Sequence, residues 1–288
     1  MGQQTFIAVD WGTTNRRAYR IENGVVVETE RDSLGVTAVP SGGFEAEVIR
    51  LRDRHGGAPV LLAGMVGSNR GWVDAGYVPT PATLDALAAA VVKPMEDVLI
   101  IPGVRHVAEG RGDVMRGEEV QLLGALAAGL APADALLCQP GTHCKWAWME
   151  DGALSAFVTA MTGEMFALLK NHALIGQEMT GEVTPGDAFV EGVREAARGD
   201  LLASLFGVRP ASLLGLRDRA DAAAFVSGLL IGTDCAAHAG TGEVHLLADP
   251  ALGALYGRAI TELGGTPLPV DSHAAFVAGA TRLWEYLS

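Results

Sequence analysis

The start of the chain carries short apolar runs separated by turn signals, which is the pattern of antiparallel strands. The runs at Thr5–Val9, Arg17–Ile21 and Val25–Thr29 predict three strands. Glu22-Asn23-Gly24 separates the last two, and Asn-Gly between apolar runs is a strong hairpin signal. The chain therefore opens with a predicted three-stranded antiparallel unit.

Helical and strand-like patterns alternate through the rest of the chain. Helices are predicted at about 43–54, 83–92, 114–128, 163–175, 186–198, 221–239, 251–263 and 273–287, and strands at Pro59–Gly64, Asp97–Gly103 and Glu243–Ala248. This alternation predicts an α/β fold with mixed sheets.

The opening pattern occurs a second time. VDWGTTNRRAYRIENGVVVE, from Val9, and QPGTHCKWAWMEDGALSAF, from Gln139, share the order strand, Gly-Thr turn, strand, Asn-Gly or Asp-Gly turn, strand. Such turns are common, so coincidence stays an open alternative. A true duplication predicts two domains of related fold. The Ala/Gly-rich segment near 125–136 places them at 1–130 and 131–288, with the last helix free to pack back on the first domain.

Composition narrows the functional class. The 288 residues are 49% hydrophobic and 19% charged, which predicts an ordered chain long enough for two domains. A formal net charge of −13 disfavours nucleic-acid binding. Three cysteines, no signal-peptide pattern and no evident membrane span predict a cytoplasmic protein with free thiols.

Asp10-Trp11-Gly12-Thr13-Thr14-Asn15 follows the first strand. A tight turn of glycine and small hydroxyl residues exposes backbone N–H groups that can bind phosphate oxygens. An acid at the strand end can organise Mg²⁺ through water. An ordinary hairpin, with Asp10 bonded to the turn, is the alternative.

The second unit offers a matching turn. Gly141, Thr142 and His143 can supply phosphate donors, and Lys145 adds a positive charge. The sequence contains neither the G-x-x-x-x-G-K-[ST] phosphate loop nor the protein-kinase motifs. If the two turns bind one triphosphate, the nucleotide site therefore belongs neither to the P-loop class nor to the protein-kinase class.

Two acids, Glu118 and Glu119, lie near the N-terminus of the helix predicted at about 114–128, between the two turns. One of them can act as the general base that accepts the proton of a sugar hydroxyl. Acids at a helix N-terminus also arise from favourable interaction with the helix dipole alone. The sequence leaves both readings, and the choice between the two residues, open.

Five ordered motifs give a specific resemblance. IAVDWGTTNRRAYR, LLAGMVGSNRGW, VMRGEEVQLLGAL, QPGTHCKW and MTGE together resemble the 2-dehydro-3-deoxygalactonokinase family, within the superfamily of sugar kinases, Hsp70 and actin. The resemblance implies two actin-like (ribonuclease H-like) domains, each with a mixed five-stranded sheet flanked by helices, and a cleft between them. It also implies transfer of the ATP γ-phosphoryl group to the 6-hydroxyl of 2-dehydro-3-deoxy-D-galactonate, with Mg²⁺.

The family pattern also implies roles for residues of this chain. Asp10 organises Mg²⁺, and Gly117-Glu118-Glu119 stands where related kinases carry a G-D-Q segment with the catalytic Asp. The expected phosphate ligands are Gly12, Thr13, Thr14, Asn15, Gly141, Thr142, His143 and Lys145. The expected sugar-acid ligands are Arg17, Ser68, Asn69, Arg70, Arg116 and Glu164, with the arginines proposed for the carboxylate and a surface role as their alternative.

The match weakens at the adenosine site. Superfamily members usually carry a Gly-rich turn there, whereas this chain offers Ala248-Asp249-Pro250. Alternatives to the family activity are a kinase of the same fold for another sugar or sugar acid, and a non-catalytic sugar or nucleotide sensor. The expected partners are the small-molecule substrate and, as an open possibility, a second copy of the chain, with no nucleic acid and no membrane.

Overall fold

The structure is a computed structural model that describes residues 5–288. The strands are β1 (Thr5–Trp11), β2 (Arg16–Glu22), β3 (Val25–Asp32), β4 (Val60–Gly64), β5 (Tyr77–Pro79), β6 (Val92–Met95), β7 (Val98–Ile100), β8 (Gly103–Ala108), β9 (Arg111–Met115), β10 (Ala135–Gln139), β11 (Cys144–Glu150), β12 (Ala153–Ala160), β13 (Glu243–Leu247) and β14 (Thr266–Val270). The helices are α1 (Phe44–Arg54), α2 (Leu84–Ala89), α3 (Glu118–Ala127), α4 (Thr162–His172), α5 (Asp187–Ala196), α6 (Leu201–Leu213), α7 (Arg219–His238), α8 (Pro250–Glu262) and α9 (Ser272–Leu287).

The chain divides into two compact units. Unit 1 contains the residues up to Asp134 together with Met149–Phe157 and Asp271–Ser288, and unit 2 contains Ala135–Trp148 and Val158–Val270. The predicted boundary at 130/131 lies close to Asp134, where the chain first passes from unit 1 to unit 2. The prediction did not include the two later segments that belong to unit 1. The last helix, α9, accordingly belongs to unit 1.

The main sheet of unit 1 has the order β3-β2-β1-β4-β7-β6. Strands β1, β2 and β3 pair antiparallel, whereas β4 pairs parallel with both β1 and β7. Alternate side chains of the central strands, among them Val9, Trp11 and Leu62, are fully buried on one face with α1. The sheet thus presents the carboxyl ends of β1 and β4 side by side.

Unit 2 is built on the sheet β12-β11-β10-β13-β14, in which β10 and β13 are parallel, as are β13 and β14. The order is the same as that of β3-β2-β1-β4-β7 in unit 1. The repeated three-strand unit is therefore a structural duplication, and the predicted actin-like α/β class is confirmed.

Unit 1 departs from the predicted five strands because β6 adds a sixth. The helix predicted at 83–92 ends at Ala89, and Val92–Met95 then pairs antiparallel with β7. Strands β5, β8 and β9 form a further three-stranded sheet that the sequence patterns did not indicate. Strand β5 has only three residues, and the burial patterns of β8 and β9 do not alternate regularly.

Three helices and one strand also differ from the expectations. The helix predicted at 114–128 begins only at Glu118. Arg111–Met115 forms a strand paired with β8, and Gly117, at φ +107°, has a backbone conformation outside the helical region. Helix α6 was missed, as was β14. Helix α7 is apolar enough to satisfy a membrane-span test by length and composition, contrary to expectation, but 72% of that window is buried, as in a core helix.

Candidate active site

The candidate site of unit 1 lies where β1 ends. Asp10 pairs across β1 and β2 with Arg17, so both side chains stand on the same face of the sheet. Gly117, which precedes α3, approaches from the other side: a Cβ there would lie 3.0 Å from the Cα of Gly64 and 4.0 Å from Oδ1 of Asp10. Glycines at 64 and 117 thus allow the start of α3 to approach the acid.

The surroundings of Asp10 raise its pKa. Burial raises its pKa to about 6, Arg17 opposes the rise, and the charge of Glu118 adds to it. Two carboxylates therefore lie near each other with one adjacent guanidinium. A site of this composition fits a cation, because a further positive charge would relieve the repulsion between the acids.

The two acids of α3 have different environments. Glu119 is fully buried, and both of its oxygens accept from the backbone N–H of Gly117, at 2.8 and 2.7 Å. Burial, followed by the charge of Glu118, raises the pKa of Glu119 to about 8. Glu118 is half-buried, and its Oε2 accepts from the N–H of Arg116 at 3.0 Å. Only Glu118 combines solvent access with proximity to Asp10.

The first turn exposes Thr13, Thr14 and Asn15. Its carbonyl groups face inward: Thr14 O accepts from Gly35 N at 3.2 Å and Gly12 O from Val36 N at 3.0 Å. A Cβ on Gly35 would overlap the backbone of Thr13 and Thr14, so glycine is required there. The sequence analysis missed this glycine because it lies twenty residues beyond the turn that it supports.

The predicted sugar-acid ligands in the loop after β4 divide into two groups. Asn69 and Arg70 are exposed. Ser68 is buried, and its hydroxyl donates to Met65 O at 2.7 Å and accepts from the N–H of Arg70 at 3.2 Å. Ser68 therefore holds the loop in shape, while Asn69 and Arg70 stand on its surface.

The side chain of Arg116 is buried in unit 1, with 4% of it exposed. Its guanidinium lies over the ring of Tyr77, 4.3 Å from the centroid, and its Nη2 donates to Gly76 O at 3.0 Å. The same Nη2 lies 3.6 Å from Oδ1 of Asp74. Nε and Nη1 have no hydrogen-bond partner among residues 5–288. Buried donors of this kind are costly unless an acceptor is supplied, so this arginine fits an anionic ligand.

The C-terminal helix adds residues that the sequence analysis missed. His273 of α9 lies beside Tyr19, with 2.8 Å between its Nδ1 and the phenol oxygen, and Arg31 donates to its Nε2 at 3.2 Å. Burial, then Arg17 and Arg31, lowers the pKa of His273. No local pattern could have linked this histidine to the first hairpin, because more than 250 residues separate it from Tyr19.

The second turn lies against the start of α4 in unit 2. Glu164 N–H donates to Thr142 O at 2.8 Å, and the Glu164 carboxylate lies 2.6 Å from Nε2 of His143. A Cβ on Gly163 would overlap Gly141 O. The turn and the helix N-terminus therefore form one unit, and Glu164, predicted as a sugar ligand, is bonded to a predicted phosphate ligand.

A cavity of about 200 Å³ opens beside this turn within unit 2. Gly141 and Gly163 line one side, and Leu252, Leu255 and Tyr256 of α8 line another. The predicted adenosine residues do not line it. Asp249 instead caps α8, accepting from Ala251 N and Leu252 N at 2.9 and 3.0 Å, and Ala248 packs against the core.

Two charged residues of unit 2 are buried in its interior. Lys145 is 4% exposed, and its Nζ donates to the hydroxyl of Thr159 on β12 at 2.8 Å. Asp234 accepts from Trp146 Nε1, Thr162 Oγ1 and Tyr256 OH, at 2.8, 2.8 and 3.0 Å. Asp234 thereby joins the sheet to the two helices beside the cavity.

Comparison with known proteins decides the family. A model of the 2-keto-3-deoxy-galactonokinase family matches residues 10–283. The chain belongs to this family. A 2-dehydro-3-deoxygalactonokinase from Escherichia coli (strain K12) is 36% identical over 281 residues, covering 95% of each chain. Membership makes the protein a kinase and implies the use of ATP.

Solved structures agree with the family assignment. A crystal structure assigned to a 2-dehydro-3-deoxygalactonokinase from Sinorhizobium meliloti superimposes with a TM-score of 0.90 at 34% identity, covering 96% of this chain and 97% of the other. Component A of the Acidaminococcus fermentans (R)-2-hydroxyglutaryl-CoA dehydratase gives a TM-score of 0.51 at 13% identity, covering 99% of both. The second likeness concerns the fold alone.

Proposed function

We propose that the protein transfers the γ-phosphoryl group of ATP to the 6-hydroxyl of 2-dehydro-3-deoxy-D-galactonate, forming ADP and the 6-phosphate in galactonate catabolism in the cytoplasm. The observation that carries the residue-level proposal is the half-buried Glu118 beside Asp10 at the start of α3. Family membership supports the substrate, since the related E. coli protein is named for it.

Glu118 is the proposed general base. As the substrate oxygen attacks the γ-phosphorus, the bond to the ADP oxygen breaks and the hydroxyl proton passes to the Glu118 carboxylate. Glu119 is not the proposed base, because both of its oxygens are buried and accept from the Gly117 N–H, and burial raises its pKa to about 8, which favours the protonated form at neutral pH.

The remaining residues bind and orient the reactants. Thr13, Thr14 and Asn15 are proposed phosphate ligands in unit 1, and Gly141, Thr142 and His143 are their counterparts in unit 2. The cavity lined by α8 is the proposed site of the adenosine moiety, in place of Ala248 and Asp249. Lys145, whose Nζ donates to Thr159, is proposed to add positive charge near the second turn.

Asp10 is the residue proposed to hold Mg²⁺, through water, with Glu118 adding to the negative potential. When bound, the ion would neutralise charge on the transferred phosphoryl group. For the sugar-acid carboxylate, Arg116 is the proposed ligand, because two of its buried nitrogens lack an acceptor among the described residues. Asn69 and Arg70 are proposed contacts at the surface of the same loop.

A matched pair of variants tests the base assignment. We expect Glu118→Gln to lower kcat by about a hundredfold or more with little change in KM, the usual effect of losing a general base. Glu119→Gln should keep kcat within a few-fold, because its carboxyl is already neutral. Steady-state ADP release measures both variants, with circular dichroism as the fold control. A large loss in Glu119→Gln alone would transfer the role to Glu119.

A substrate panel tests the reaction itself. ADP release is measured with 2-keto-3-deoxy acids of the galactonate and gluconate series, other sugar acids and neutral sugars. We expect the highest kcat/KM for 2-dehydro-3-deoxy-D-galactonate. A neutral sugar that reacts faster than every acid would contradict the proposed substrate class, whatever the two glutamate variants show.

A further inference from the structure

Helix α6 has an apolar face that residues 5–288, the part of the chain that the structure describes, leave exposed. Its inner residues, among them Leu205 and Val208, pack against the cluster around α7. On the opposite side, Leu202 and Phe206 are 80% and 75% exposed, and Leu213 is 72% exposed. These three occupy one helical stripe, since they are separated by four and seven residues. Leu214 and Leu216 extend the exposed surface, at 72% and 77%.

This surface is large enough to form an interface. A Leu or Phe side chain carries on the order of 100 Å² of apolar area, so five of them at this exposure present roughly 400 Å². One side of a standard protein interface buries about 800 Å², of which somewhat more than half, again roughly 450 Å², is apolar. The face therefore supplies the apolar part of one ordinary interface.

A shallow groove adjoins the stripe. Ala203, Gly207 and Ala211 recur every four residues along α6 and line a cavity of about 330 Å³ with Arg198 and Phe225. A Cβ on Gly207 would meet no atom within 4 Å, so the fold of the monomer does not require glycine there. Glycine also weakens a helix interior relative to alanine. Its effect is to leave room for an approaching backbone or side chain.

The spacing of the stripe identifies its occupant. Leu202, Phe206, Arg209 and Leu213 are separated by four, three and four residues, which reads the same in both directions. An antiparallel copy of α6, related by a two-fold axis between Gly207 and the next residue, would place Leu202 against Leu213 and Phe206 against Arg209. The second pairing sets a guanidinium beside an aromatic ring, a favourable contact, and keeps the two arginines apart.

We propose that α6 is the interface of a two-fold symmetric dimer of this chain, with the apolar stripe of each copy packed on that of the other beside the open groove at Gly207. An isologous interface requires a self-complementary patch, and the symmetric spacing provides one. The proposal is independent of the substrate, since none of these residues belongs to the candidate active site.

Sedimentation velocity over a range of protein concentrations tests the proposal. The wild-type protein should reach dimer mass at micromolar concentration. Phe206→Glu should raise the dimer dissociation constant by about thirtyfold or more, as loss of a central interface residue does. Gly207→Leu should weaken the dimer by filling the groove. Val107→Glu, which alters a residue of unit 1 that is 66% exposed, is the matched control and should leave the dimer unchanged.

Fold and activity are monitored in the same samples. Phe206→Glu should retain wild-type circular dichroism and turnover per chain; if it does not fold, Leu202→Glu at the same stripe takes its place. A wild-type protein that stays monomeric at all concentrations, or dimers that survive either substitution, would overturn the proposal. So would wild-type sedimentation with phosphatidylglycerol vesicles that Phe206→Glu abolishes without any change in dimerisation, because the face would then bind lipid.

Discussion

Replacing Asp10 by asparagine should stabilise the folded protein while abolishing its activity. The folded structure raises the pKa of Asp10 from 3.8 to about 6, chiefly by burial. A rise of that size corresponds to about 3 kcal/mol of free energy spent on keeping the carboxylate charged above pH 6. Asparagine has nearly the same shape but no charge, so Asp10→Asn should recover about 2–3 kcal/mol.

The pH dependence gives this expectation its sign. Below pH 3.8 the acid is protonated in both the folded and the unfolded chain, so variant and wild type should be equally stable. Between pH 3.8 and about 6, Asp10 loses its proton in the unfolded chain before it does so in the folded chain. The free energy of unfolding of the wild type therefore decreases relative to that of the variant. Above pH 6 the difference in the free energy of unfolding should stay constant.

Urea unfolding of both proteins without ligands, at pH values from 4 to 8 in steps, measures this difference; on heating, about 2–3 kcal/mol should appear as a rise in Tm of roughly 5–8 °C. Asp85→Asn is a control of opposite sign, because a hydrogen bond from Thr83 lowers the pKa of that exposed acid. Its loss should destabilise the protein at neutral pH. If Asp10→Asn were less stable than the wild type at pH 8, the assignment of Asp10 as a destabilising, desolvated charge would be wrong.

Two further predictions concern the interior of each unit. Asp234→Asn should lower the free energy of unfolding by about 3 kcal/mol or more in urea titrations, because Asp234 accepts three buried hydrogen bonds, whereas Tyr256→Phe, which removes one of them, should cost about 1 kcal/mol; equal losses would argue against a shared network. Gly124→Ala should destabilise unit 1 by several kcal/mol and increase hydrogen exchange in α9, since a Cβ at this position would overlap Ala275 O; unchanged exchange in α9 would contradict the close packing of α3 on α9.

The two neighbouring acids of α3 show how local environment separates residues that are adjacent in sequence. Glu118 and Glu119 are indistinguishable by composition, and both suit the first turn of a helix. The Glu119 carboxylate points inward and accepts hydrogen bonds from the backbone N–H of Gly117, whereas Glu118 stays half-buried near Asp10. A choice of this kind depends on the direction in which α3 enters the unit, which no short pattern encodes.

The sequence alone determined the fold class, the repeated three-strand unit, the Gly-Thr turns and the family. These features are local: alternating apolar residues and Gly, Asn and Asp turns impose strand and hairpin geometry wherever they occur. Their order along the chain was enough to predict that Asp10 and the second turn at Gly141 belong to related hairpins.

Tertiary structure decided which residues share a site. It brought His273 to Tyr19, placed Gly35 beneath the first turn, and opened a cavity that α8 lines but Asp249 does not. It also left one face of α6 exposed. Because α6 is apolar on most of its sides, its apolar residues show no helical period, and the sequence analysis did not predict the helix. The physical reason is the same throughout, because contacts between distant segments depend on how helices pack on the sheets, and burial then sets each pKa and each hydrogen bond.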